Sequence, residues 1–95
     1  MAEMMVIWEG RVPAERQSAL LAAYREGSHA TPPQMTRHWI TRDLEDPEVL
    51  RLFSFWESRA ALEDYRRHAE TPAALLMFRA AGVEPTRTIS ESLDP

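Results

Sequence analysis

A chain of 95 residues with 44% hydrophobic and 27% charged side chains has the balance of one soluble domain, expected to span residues 1–95. Its formal charge of −4 argues against general nucleic-acid binding, and no apolar run is long enough to cross a membrane. Cysteine and lysine are both absent, which excludes a thiol nucleophile, an iron–sulfur cluster, a zinc–thiolate site and a lysine Schiff base. An acidic N-terminal stretch without a small-residue cleavage site is not expected to act as a signal peptide, so a cytoplasmic location is expected.

Met4–Val12 (MMVIWEGRV) begins as a continuous apolar run and ends by alternating. It predicts a central strand with Val6, Trp8 and Gly10 on one face and Ile7 and Glu9 on the other. Pro13 suits a first helical turn, and Ala14–Glu26 is rich in helix formers, with Leu20, Leu21 and Tyr24 on one stripe and Gly27 as the stop. Ser28–Gln34 reads as a loop because its two prolines forbid regular pairing. Met35–Arg42 reads as a strand with Met35, Arg37, Trp39 and Thr41 on one face and Thr36, His38, Ile40 and Arg42 on the other.

Asp43–Glu48 is an acidic turn, with Asp46-Pro47 as its signal, and it returns the chain as the strand Val49–Trp56 in an antiparallel hairpin. This strand is apolar on both faces: Leu50, Leu52, Ser54 and Trp56 share one parity, Phe53 and Phe55 the other. Ser58 is a good N-cap for a helix over Ser58–Ala69, with Leu62, Tyr65 and Ala69 inward. Thr71-Pro72 starts a third helix, Pro72–Ala80, that Gly82 ends, with Leu75, Leu76 and Phe78 apolar. Val83–Leu93 alternates weakly and reads as a last strand, with Pro85 placing its start at an edge or bulge.

The order β-α-β-β-α-(α)-β is that of a ferredoxin-like α+β fold, a four-stranded antiparallel sheet with helices on one face. Phe53, Phe55 and Ile7 then lie on the uncovered face and need a second cover. A homodimer packed sheet on sheet supplies it, since a two-fold axis lets one patch cover itself.

Three stretches carry a family resemblance: the strand entering a helix through Val12–Glu15 (VPAE), the Pro33-led strand before an acidic turn, and Phe53–Tyr65 (FSFWESRAALEDY). On these the chain resembles the antibiotic biosynthesis monooxygenase (ABM) family of dimeric α+β barrels. The family's usual Pro-Gly-Phe before the second strand is Pro33-Gln34-Met35 here. In the haem-degrading branch the ligand pattern is an Asn, a Trp and a His, where this chain places Trp8, Tyr65 and Ala74, so the axial ligand is missing.

The resemblance implies a monooxygenase that uses no cofactor, neither metal nor flavin, on a quinol, anthrone or other polycyclic phenol. Such a substrate, once deprotonated, can itself reduce dioxygen. The protein must supply a dry aromatic cavity, roughly a few hundred cubic ångströms by the usual scale of ligand pockets, and a base. His38 and Tyr24 are the candidate catalytic residues. Trp8, Trp39, Trp56 and Tyr65 are candidates to wall a flat aromatic ligand, and Arg37 and Arg42, near His38, to hold a phenolate or carboxylate. Each has an ordinary alternative: a packing anchor for Trp56, core-edge residues for Tyr24 and Tyr65, a satisfied strand histidine for His38. His38 and Trp39 point to opposite faces, so only one can line the cavity, and the hairpin register decides which. The histidines share no metal-ligand spacing. The same fold could instead serve a non-catalytic aromatic-ligand-binding or accessory domain, a structural dimer with a filled core, or a polyketide cyclase or isomerase.

Overall fold

Alternation in the first strand decides which side of the sheet the helices cover. In β1 (Met4–Arg11) the residues Met4, Val6, Trp8 and Gly10 are buried, while Met5 and Ile7 are only partly covered and Glu9 is exposed. The computed structural model describes residues 2–93. After β1 come a short 3-10 turn (Ala14–Arg16), α1 (Gln17–Gly27), a second 3-10 turn (Ser28–Ala30), β2 (Met35–Arg42), β3 (Val49–Trp56), α2 (Arg59–His68), α3 (Ala73–Ala80) and β4 (Thr86–Glu91). The four strands form one antiparallel sheet in the order β2-β3-β1-β4. This is the ferredoxin-like arrangement expected from the element order.

The core lies between the helices and the face carrying Val6, Trp8, Leu50, Leu52 and Trp56. Leu20 from α1, Leu62 from α2 and Phe78 from α3 close it, each burial contributing about 1.5–3 kcal/mol. Gly10 lets Phe78 press directly onto the sheet, because a Cβ there would sit 2.8 Å from a Phe78 ring carbon. Ser58 caps α2 as its sequence position suggests, its Oγ accepting from the Ala61 N–H at 3.1 Å. Gly82 ends α3 with φ +75°, a conformation open to glycine at little cost. Gln17 ties the start of α1 to the β2–β3 turn, donating to the carbonyls of Val12 at 3.0 Å and Pro47 at 2.8 Å.

Several expectations are corrected. α1 runs through Gly27, because that glycine keeps helical angles (φ −65°, ψ −28°), and its bare Cα makes room for Met77. The chain then tightens into a 3-10 turn where an irregular loop was expected. A bulge between Met35 and Arg37 breaks strict alternation in β2 and moves Met35 to the same side as His38, packed against the core. Leu76 points outward and is 54% exposed, while Phe78 and Ala81, three residues apart, face the sheet. β4 starts only after Pro85, and it is an edge strand. No described helix is long and apolar enough to cross a membrane.

Candidate functional site

A cavity of about 150 Å³, smaller than the few hundred cubic ångströms expected, lies between the sheet and the helices. Its floor follows from register. His38 in β2 pairs with Ser54 in β3, Ser54 with Val6 in β1, and Val6 with Ile89 in β4, so these four lie in one row across the sheet. The next row is Ile40, Leu52, Trp8 and Arg87. The register thus answers the question left by strand parity: His38, and not Trp39, faces the helices.

Tyr24 reaches the cavity from α1, and its hydroxyl stands 2.7 Å from His38 Nδ1, the rings meeting edge-on at 5.5 Å. Burial pushes the Tyr24 phenol above its ordinary range, so at neutral pH it is un-ionised. A hydroxyl is both donor and acceptor, so it suits either tautomer of the imidazole. If Nδ1 carries the proton and donates to the Tyr24 oxygen, Nε2 is left with a lone pair for a ligand's proton.

The aromatic wall is already engaged in packing. Trp56, 2% exposed, donates its indole N–H to Ser54 Oγ at 3.0 Å and packs against Tyr65 at 4.8 Å between ring centroids. The Tyr65 hydroxyl accepts from the Ala73 N–H at 3.1 Å, satisfying a free donor at the start of α3. Both rings border the cavity; the single indole donor of Trp56 is engaged, while the Tyr65 hydroxyl keeps its own hydrogen to donate. Trp8 borders it too, with the Arg87 guanidinium 5.7 Å from its ring centroid.

Trp39, Arg37 and Arg42 do not line this cavity. Trp39 lies on the opposite face of the sheet, against Phe53 and Phe55 at 5.9 and 4.9 Å. Arg37 is on that face as well, 4.2 Å above the Phe55 ring and paired with Glu3 at 3.1 Å. Arg42 shares the parity of His38 but turns to the oxygen of Gln17, at 2.8 Å. Arg87 and Met77 line the cavity and were not singled out from sequence. The alternation of Thr86–Glu91 was the available signal, but only pairing with β1 shows which parity faces inward. Among the described residues no group of three or more His, Asp or Glu side chains is placed to hold a metal ion.

Comparison with known proteins adds the family. Among curated proteins none matches the chain. Solved structures share its fold at low identity. Rv0793 from Mycobacterium tuberculosis is 20% identical with a TM-score of 0.71, the match covering 98% of this chain and 97% of that one. A conserved protein from Methanosarcina mazei Go1 is 16% identical with a TM-score of 0.72, covering 95% and 92%. SnoaB from Streptomyces nogalater, described as a cofactor-independent oxygenase, is 17% identical with a TM-score of 0.68, covering 100% and 97%. The sequence model named for antibiotic biosynthesis monooxygenase matches residues 4–75, most of the chain. The chain belongs to the antibiotic biosynthesis monooxygenase family.

Proposed function

We propose that this protein is a cofactor-independent monooxygenase acting on an electron-rich phenol, whether a quinol, an anthrone or a related aromatic. The observation that carries the reading is the Tyr24–His38 pair at the wall of an otherwise largely apolar cavity. Family membership and the likeness in fold to SnoaB support it. In this reading His38 takes the phenol proton and Tyr24 holds the imidazole ring. The phenolate passes an electron to dioxygen, the two radicals combine at carbon, and loss of water leaves the quinone. Overall, one phenol and one O2 give one quinone and one H2O. The surrounding Trp8, Trp56 and Tyr65 rings keep bulk water from the reacting anion.

The functional unit in this reading is a homodimer. Ile7, Phe53 and Phe55 are only partly covered, and Trp39 is 40% exposed on the same face. A second copy packed sheet on sheet covers this apolar patch.

The test is dioxygen uptake with a panel of hydroquinones and anthrones, using metal-stripped protein. Uptake is expected with the wild type, and His38→Ala is expected to lower it about 100-fold, within the usual range for loss of a general base. Uptake no faster than without protein would overturn the reading. Turnover that proceeds equally without oxygen would point to a cyclase or isomerase.

A further inference from the structure

The chain carries a net charge of −4, yet among the described residues no carboxylate lines the cavity, and the charged side chains that do are Arg66 and Arg87. Arg66 is engaged with Glu63 at 3.2 Å, whereas among the described residues no carboxylate lies within ion-pair distance of Arg87. Both arginines are exposed, so they border the open side of the cavity. Position matters as much as charge. His38 is on one edge strand and Arg87 on the other, one row further along the sheet. Their backbones stand three strand spacings apart across the sheet and two residues apart along it, roughly 16 Å in all, with Val6, Leu52 and Trp8 between them. Both side chains reach inward, and the volume of about 150 Å³ is on the scale of a cavity that holds one benzene ring.

We propose that the cavity takes a single dihydroxy-aromatic ring bearing a carboxylate: a hydroxyl meets His38 and Tyr24, and the carboxylate meets Arg87 at the opposite edge. The proposal rests on the oxygenase reading for the choice of ring, and it makes Arg87 the residue that selects acidic substrates. The guanidinium matches a carboxylate with paired N–H donors, and its place beside the Trp8 ring limits its freedom before a ligand arrives.

The test is anaerobic calorimetric titration of the full chain with 2,5-dihydroxybenzoate, its methyl ester and hydroquinone. Working without oxygen separates binding from turnover, so failure of the oxygenase reading leaves this result intact. At low ionic strength the acid is expected to bind about five- to tenfold more tightly than the ester, with the difference shrinking as salt rises. Arg87→Gln should bring the acid to the affinity of the ester and leave the ester unchanged. Arg66→Gln should keep the preference, and His38→Ala should weaken all three ligands alike. Equal binding of acid and ester by the wild type would overturn the proposal. So would a preference that survives Arg87→Gln or disappears in Arg66→Gln.

Discussion

The hydroxyl of Tyr24 stands 2.7 Å from Nδ1 of His38, joining the first helix to an edge strand across the wall of the cavity. This contact has a consequence at alkaline pH. Burial raises the Tyr24 pKa, so the folded state favours the un-ionised phenol. The resulting stability is fully present below the unfolded tyrosine value, about 10, and is lost as pH rises through the folded value. The chain has two tyrosines and no lysine, so few side chains compete in that window. Ultraviolet titration of phenolate absorbance should show a late step that Tyr24→Phe removes. Denaturant midpoints above pH about 10 should fall more steeply for the wild type than for the variant. A late step that survives Tyr24→Phe would contradict the assignment.

At acid pH the β2–β3 turn dominates. Arg51 donates to Asp43 at 2.9 Å and holds its carboxyl below the usual carboxylate range, and Arg11 does the same for Asp46. Carboxylates with lowered folded values stabilise above the unfolded value, about 3.9 for aspartate, and lose that contribution as pH falls through the folded one. Asp43→Asn should therefore lower stability at neutral pH and flatten its decline below pH about 4. These groups lie at the surface and are partly exposed, so the effect should be small and should shrink in high salt. Equal acid limbs in chemical denaturation would refute the assignment.

Gly10 and Phe78 are in tight contact. A Cβ at position 10 would meet the ring at 2.8 and 2.9 Å, and Phe78 is fully buried with little room to move. Gly10→Ala should destabilise by about 1–3 kcal/mol through overpacking. Urea unfolding measures this directly, and an unchanged midpoint would show that α3 shifts freely on the sheet.

The proposed sheet-on-sheet dimer would make Trp39, which does not line the cavity, an interface residue. Trp39→Glu places a charge among Trp39's neighbours Phe53 and Phe55. Sedimentation should find the wild type dimeric, and the variant should dissociate at least about thirtyfold more readily, the scale of an interface hot spot. A wild type that is monomeric at micromolar concentration would remove the dimer from the proposal.

Local chemistry carried much of this fold into the sequence. β2 and β3 have the bounds that β-branched and aromatic content mark out, and Ser58 caps α2 where hydroxyl chemistry predicts. Less was legible wherever a distant partner decides. Strand parity separated His38 from Trp39 but could not tell which faced inward, because that depends on pairing with Ser54 or Phe53 across the hairpin. The bulge that moves Met35 has no Gly or Pro to announce it. Arg42 looked as available as any arginine until Gln17, 25 residues earlier in the chain, accepted its hydrogen bonds. Arg87 became visible only once β4 was paired with β1 beside Trp8.

The most direct measurement of the proposed chemistry is isotopic. Metal-stripped protein is given a hydroquinone or anthrone under labelled dioxygen, and the product is examined by mass spectrometry. One labelled oxygen atom per product molecule is expected, formed about 100-fold faster by the wild type than by His38→Ala. Label that fails to enter the product, or that enters equally fast with His38→Ala, would contradict oxygenation at the Tyr24–His38 wall.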